Sequence, residues 1–277
     1  MSTWQHNFAE AGTERAAAYD RLLVPSLFHP WACLLAGELN IREGWHALDV
    51  ACGPGTLTRV LAGLVGPGGS VTGTDISPAM LDAARAKPPA AGAPQHYALT
   101  GAAPLEEIPD GAFQVTCCQH GLQFFPDRAA AVSEWYRVTA PGGLVAVAVW
   151  APLDDNPLFA TLHDAAAAVL GLERAAGFRL PWSLAAAEVA SLLDKSGFTE
   201  VRCRRRTLPT VFPGGTEDLR TVYRFSPAAG DIQALDSTAT AVLHQEISSR
   251  IGPYVQDNAV IGPTRAEFII ARRPGTP

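Results

Sequence analysis

The chain has 277 residues, 48% of them apolar and 17% charged, with a net charge of −6. That describes an ordinary folded globular protein, long enough for one large domain or a domain with a cap. The acidic balance excludes a sequence-independent grip on nucleic acid, which needs a basic face.

Residues 1–14 are polar and read as a loose end. From Arg15 to Leu39 the apolar residues predict two helices, punctuated by Pro25 and Pro30. Ala47–Val50 reads as a short buried strand. Cys52-Gly53-Pro54-Gly55 breaks it, and Leu57, Val60, Leu61 and Leu64 then recur at helical spacing. A strand turning on glycines into a helix is the first crossover of a Rossmann-like unit, where a ligand lies against bare backbone and the helix start offers N–H donors. Val71–Ile76 is a second strand that ends on Asp75, an acid about 20 residues past the glycines, the usual partner of ribose hydroxyls. Thr58 stands where the dinucleotide fingerprint has its third glycine, which lowers the NAD reading.

Asp49–Gly55 followed by Thr74–Leu81 resembles the class I S-adenosylmethionine (SAM)-dependent methyltransferases. Gln119–Asp127 and Ala140-Pro141-Gly142-Gly143 look like the ubiquinone/menaquinone-methyltransferase-like branch. The resemblance is strongest over roughly residues 15–150. It implies an α/β fold: a Rossmann-like, seven-stranded, mostly parallel sheet with helices on both faces and an antiparallel last strand. It further implies a helical lid over 1–40, a SAM-binding core over 41–150, a helical substrate-binding insertion over 151–196, and closing strands and helices over 197–277.

On this resemblance Asp49, Ala51, Gly53 and Gly55 cradle the methionine part of SAM, and Asp75 holds its ribose. Ile76 and Met80 flank the adenine, Ala102 and Ala103 edge it, and Gln119 lines the methyl-transfer end. Ala102 replaces an acid usual in the family, which leaves the adenine contact there to backbone. His120 and His29 are the candidate bases, because histidine can take a proton near pH 7. Tyr19, Phe28 and Trp31 on the lid, with Phe159, Trp182 and Tyr223 further on, are candidate substrate-binding residues; plain core packing is the competing reading of each.

Further along, Ser77 caps a helix with Pro78 at its first position. Tyr97–Leu99 and Phe113–Cys118 are strands, and Pro141-Gly142-Gly143 turns the chain into another at Leu144–Trp150. Phe159–Leu172 and Ala185–Leu193 read as helices. Arg202, Arg204 and Arg206 alternate along a strand as a solvated edge face. Residues 217–250 are helical with breaks at Pro227 and Gly230, and Phe268–Ala271 is the last strand.

No run approaches the ~20 apolar residues of a membrane span, and the start lacks the pattern of a signal peptide. Cys33, Cys52, Cys117, Cys118 and Cys203 lack metal-ligand spacing and read as reduced cysteines of a cytoplasmic protein. The expected activity is methyl transfer from SAM, with S-adenosylhomocysteine (SAH) as product, to O, N or C of a small hydrophobic or aromatic metabolite of secondary metabolism. Neither metal nor nucleic acid is expected, and a homodimer is left open. The alternatives are a protein of this fold that binds SAM without methylating (a cyclase or regulator) and an NAD-dependent oxidoreductase.

Overall fold

The residues that follow His46, apolar apart from Asp49, are all buried, as suits β1 (His46–Val50) in the middle of a sheet, where a strand is covered on both faces. The structure, a computed structural model, describes residues 12–275. β1 lies between β2 (Ser70–Asp75) and β4 (Phe113–Gln119); β3 (Gln95–Leu99) flanks β2, and β5 (Thr139–Trp150) flanks β4. All four of these pairings are parallel. β8 (Ala259–Arg272) and then β6 (Thr199–Phe212) complete the order β3-β2-β1-β4-β5-β8-β6. The Arg273 N–H donates to the Gly143 carbonyl at 2.9 Å and the Ala151 N–H to Arg265 at 3.0 Å, so β8 runs antiparallel to β5, as the resemblance implied. The sheet has eight strands and not seven, because β7 (Val255–Gln256) forms a short hairpin with β8. Right-handed crossovers and the reversal of strand order at β1 put the helices on both faces of the sheet.

Among the described residues the first helix, α1, begins at Thr13, within the end expected to be loose at residues 1–14; residues 1–11 lie outside the described ones. Pro25 and Pro30 mark the joint between two helices as expected, at the first turn of a π-helical segment (Val24–Phe28) and of α2 (His29–Gly37), where a missing N–H costs little; the π turn joins α1 (Thr13–Leu23) to α2 without a break. α3 (Thr56–Val65) follows the glycine turn. α4 (Pro78–Arg85) is capped by Ser77 Oγ, which accepts from the Met80 N–H at 3.5 Å. α5 (Arg128–Val138) is capped in the same way by Asp127.

Pro141-Gly142-Gly143 does not precede a strand but interrupts one. Phe113 pairs with Thr139 while Val115 pairs with Leu144, so the intervening residues loop out of β5 as a bulge. Gln114, where the family usually has Asp, accepts the His46 N–H at 2.8 Å and fastens the start of β1. The segment after β3 is clamped from α5: Glu134 accepts the Leu105 N–H at 2.8 Å, and Arg137 donates to the carbonyls of Leu105 and Ile108.

The chain divides into two compact units. One takes in the described residues up to Val149, then Ala185–Arg205 and the described residues from Glu267. It therefore holds α1–α5, the helix Ala186–Lys195 and the sheet as far as Arg205. The arginines along β6 that belong to it are exposed on the sheet's edge strand, as read from their alternation.

The second unit comprises Trp150–Leu184 and Arg206–Ala266. Its helix Pro157–Leu170 buries Leu158, Phe159, Leu162 and Leu170, the helix Ser237–Arg250 buries Leu243 and Ile247, and Asn156 is wholly buried ahead of the first. Asn156 donates to Ala151 and Pro152 and accepts the Arg265 N–H at 2.7 Å, which stitches the two ends of the unit together. Gly230 lies inside a helical turn (Ala229–Gln233); the breaks fall before it and again at Ala234–Asp236.

Gly73 in β2 is the tightest point beneath the glycine turn. A Cβ there would meet Cys52 Sγ at 2.9 Å, Thr58 Oγ1 at 3.0 Å and Tyr97 Cδ1 at 3.1 Å. Gly73→Ala is therefore expected to lose ~1–3 kcal/mol of stability by overpacking. The effect should appear as a lower urea midpoint with an unchanged m-value.

Candidate active site

The strand order reverses between β1 and β4, and in open α/β sheets ligands bind beyond the carboxyl ends of the strands at such a reversal. The backbone is strained at that point. Ala51 after β1 has φ 58° and His120 after β4 has φ 54°, left-handed values that a side chain disfavours. The two turns approach so closely that a Cβ on Gly121 would lie 2.8 Å from the Ala51 Cβ. Gly53 (φ 54°) and Gly55 (φ 76°) continue the turn. Gly55 is required twice over, because a Cβ would also lie 2.6 Å from the Tyr97 hydroxyl. Gly53 differs: a Cβ there would meet no atom within 4 Å, so its backbone faces a ligand-sized approach.

Two buried carboxylates brace this turn. Asp75 accepts the Gly53 N–H on Oδ2 at 2.8 Å and the Ser77 N–H on Oδ1 at 2.9 Å. It thereby ties the glycine turn to the start of α4. Each oxygen keeps a lone pair for a further donor. Burial raises its carboxyl above the usual range, against those amide hydrogen bonds. Asp49, 1% exposed on β1, accepts the Thr58 hydroxyl at 2.7 Å. Burial pushes its carboxyl up to about 7, opposed by the Thr58 hydrogen bonds and aided by the Asp75 charge.

These residues fit SAM. Asp75 has acceptor capacity for ribose hydroxyls, and the Thr56 hydroxyl, buried at the start of α3, makes no hydrogen bond of its own. Ile76 and Leu99, at the ends of β2 and β3, are 44% and 58% exposed, which leaves apolar surface beside Asp75 for a flat base. Ala102 and Ala103 are half-buried in the segment after β3, which begins with the Thr100 N–H on the Asp75 carbonyl at 3.1 Å. Met80 departs from its expected role. It is 1% exposed and packed with Ala16 and Ala79, so its side chain joins α1 to α4.

The N-terminal helices meet this site from above β4. Gln119 donates to the Phe28 carbonyl at 2.9 Å. Phe28 stacks on Tyr19 at 5.2 Å, and the His120 ring lies 6.1 Å from Phe28 and 6.3 Å from Trp31. Tyr19 feels the site electrically: burial and then the charges of Asp75 and Asp20 raise its phenol. Burial lowers His120 to about 3, so its imidazole is neutral at pH 7 and a weak base. His29 does not join this group; it is exposed on α2, with Nε2 3.6 Å from Cys33 Sγ.

Phe159, Trp182 and Tyr223 belong to the second unit, where Phe178 gathers them. Its ring lies 5.5 Å from Trp182 and 5.6 Å from Tyr223, and Phe159 lies 5.3 Å from Trp182. Tyr223 is 1% exposed and donates its hydroxyl to the Leu162 carbonyl at 2.6 Å, which makes it a core residue of that unit in place of a pocket wall. Three residues of the active-site region escaped sequence reasoning. Tyr97 underlies Gly55, Gln123 donates to the His120 carbonyl at 2.8 Å, and Lys87 touches both Asp20 and Pro54. No group of three or more potential metal ligands occurs among the described residues.

Comparison with known proteins agrees with this geometry. The methyltransferase-domain family matches residues 48–147. The chain is 35% identical over 136 residues to the ubiquinone/menaquinone biosynthesis C-methyltransferase UbiE of Burkholderia orbicola, covering 48% of this chain and 56% of that protein. It is 35% identical over 132 residues to the demethylmenaquinone methyltransferase of Geobacillus stearothermophilus, covering 47% and 56%. The chain thus spans about half the length of these relatives. Among solved structures, phosphoethanolamine N-methyltransferase 2 of Haemonchus contortus in complex with SAM shares the fold, with a TM-score of 0.62 at 16% identity over 99% of this chain and 60% of that one.

Asp49 gives the ligand-free protein a signed pH dependence. Its folded value of about 7 lies above the unfolded 3.8, so the folded state holds a proton that the unfolded chain releases. Its contribution to stability is full below the unfolded value and is lost as pH rises through the folded one. Asp49→Asn is expected to cancel this loss, gaining stability relative to the parent by on the order of 2 kcal/mol at pH 8 compared with pH 4. Urea unfolding of both proteins at the two pH values measures it.

Proposed function

We propose that this chain, which matches the methyltransferase-domain family over residues 48–147 and resembles the ubiquinone/menaquinone-methyltransferase-like branch, is a class I SAM-dependent methyltransferase that methylates a small, electron-rich aromatic metabolite. When bound, SAM supplies a methyl group on a positively charged sulfur. The chain's own residues then have to hold, align and dry the reactants, and near-attack positioning is worth roughly 7–11 kcal/mol. Asp75 fixes the ribose; Ile76, Ala102 and Ala103 edge the adenine. Asp49, Ala51, Gly53 and Gly55 hold the methionine part, with the Thr56 hydroxyl as a further donor.

The acceptor lies beneath Tyr19, Phe28 and Trp31, at the end of β4 where Gln119 and His120 emerge. The observation that carries this reading is the aromatic group around His120, bound to the strand end by the Gln119–Phe28 hydrogen bond. Ring faces and a neutral imidazole suit a flat, weakly polar substrate better than a charged one. In-line attack forms the bond from the acceptor to the methyl carbon and breaks the carbon–sulfur bond, whose electron pair stays on sulfur. The acceptor's proton passes to bulk solvent after the transfer, as the site reopens, because an imidazole lowered to about 3 holds a proton poorly. His120 thus orients the acceptor and excludes water instead of serving as a base.

The relatives' names refer to C-methylation in ubiquinone and menaquinone biosynthesis, which favours a ring carbon as acceptor and a quinol-like substrate over a product of secondary metabolism.

Calorimetry with SAH tests the cofactor, and a panel of hydroquinones, phenols and amines with labelled SAM tests the transfer. Wild type is expected to bind SAH saturably and to label ring carbon. Asp75→Ala is expected to weaken SAH by about tenfold or more, the cost of losing hydrogen bonds to a charged group. Binding of NAD in preference to SAH would overturn the cofactor. SAH binding with no labelled product from any acceptor would favour a non-methylating SAM protein.

A further inference from the structure

We propose that Lys87 is a positioning residue that clamps α1 onto the glycine turn, so that the Asp20–Lys87–Pro54 linkage sets how firmly the cofactor is retained. The proposal rests on the reading of SAM as the cofactor, and it adds a determinant on a part of the chain that contributes nothing to the glycine motif.

Lys87 stands just beyond the end of α4, where Pro88-Pro89 stop the helix and stiffen the backbone that carries it. Its ammonium lies 2.6 Å from Asp20 Oδ1 on α1 and 2.7 Å from the Pro54 carbonyl. Pro54 separates Gly53 from Gly55, the two residues whose left-handed backbone shapes the turn. One cation therefore joins the N-terminal helix to the middle of the cofactor loop. An ammonium suits this position because it has three donors in any direction around one charge, whereas guanidinium holds its donors in a plane. The Lys87 and Asp20 side chains are only 20% and 27% exposed, so water competes for the pair less than at an open surface.

The rest of α1 shows what the clamp holds in place. Ala16 lies against Ala79 and Met80, with Tyr19 packed beside them, and Tyr19 stacks on Phe28 over the end of β4. The Ala16 contact is apolar and smooth, and it would permit α1 to slide. Lys87 supplies a directional tie at one end of this contact, as Gln119 on Phe28 does at the other. Because the same ammonium touches Pro54, displacement of α1 and relaxation of the turn are one event. Cofactor release then requires this contact to open.

The test uses the full chain, wild type and three variants: Asp20→Asn, which removes the charge on the helix; Asp20→Glu, which keeps it; and Lys87→Met, which removes both contacts. SAH release is followed by stopped-flow displacement, and trypsin cleavage after the exposed Arg21 by mass spectrometry. Asp20→Asn is expected to release SAH ~threefold faster, the size of effect of a partly exposed ion pair. Lys87→Met is expected to do so ~tenfold faster, since a charge-assisted hydrogen bond to the turn is lost as well. Asp20→Glu should stay within about twofold of wild type. Raising salt should speed release from wild type and not from Asp20→Asn.

Cleavage after Arg21 should accelerate in Asp20→Asn and Lys87→Met without any ligand. Wild-type release rates in both variants, or unchanged cleavage, overturn the clamp. If Lys87→Met fails to fold, the isosteric Asp20→Asn carries both readouts. Failure of wild type to bind SAH overturns the cofactor reading instead, and the ligand-free cleavage still decides whether Lys87 holds α1.

Discussion

The Asp75 carboxylate is the constraint on which the site depends. It sits at the end of β2, yet its two oxygens take the amides of Gly53 and Ser77, which belong to the turn after β1 and to the cap of α4. The first two strand–helix crossovers are therefore set relative to each other by one side chain. Removing such a group from water raises its pKa, and the two amides only partly offset that. The acid is thus held ready for hydroxyl donors at some cost to the ligand-free protein. This cost is the usual mark of a site organised before its ligand arrives.

Beneath the turn, Thr58 explains how the chain departs from a dinucleotide fold. A glycine at that place lets helix and strand approach directly under a pyrophosphate. Thr58 is wholly buried instead, and its hydroxyl holds Asp49. The close approach moves to Gly73, one strand over, where Cys52, Thr58 and Tyr97 converge on the missing Cβ. One substitution in the motif is thereby answered by a glycine in the neighbouring strand and by an acid that a pyrophosphate fold would not tolerate there.

The parts legible in sequence were those governed by local chemistry. Glycines at left-handed positions, the acid at the end of β2, Ser77 as a cap and the apolar strand β1 each leave a mark within a few residues. Pro25 and Pro30 mark the joint between two helices, but that the joint is a π-helical turn and not an interruption has no local sign in the sequence. Pro141-Gly142-Gly143 reads as a turn in isolation, and only the pairing of β4 shows it as a bulge. Met80 and Lys87 illustrate the same limit at the site. A methionine beside a motif and a lysine before two prolines carry no local sign of a partner on α1, which lies more than sixty residues earlier in the chain. Tyr223 was read as a pocket wall from its aromatic character, and its hydroxyl bond to Leu162 arises from a helix distant in sequence.

Electrostatics supplies an argument for the cofactor that is independent of motif resemblance. Asp49 and Asp75 are both at least nine-tenths buried and lie at the turn, and the charge of Asp75 adds to the difficulty of ionising Asp49. The Lys87 ammonium above Pro54 is already engaged by Asp20. A pyrophosphate would bring two negative charges to this place, against two carboxylates that have little water to screen them. SAM brings the opposite: a sulfonium and an ammonium, which favour the charged form of both acids. After transfer the sulfur is neutral, so part of that attraction vanishes with the reaction. Were SAM bound here, the product would thus be held less firmly than the reactant, which helps its release but does not lower the barrier to transfer.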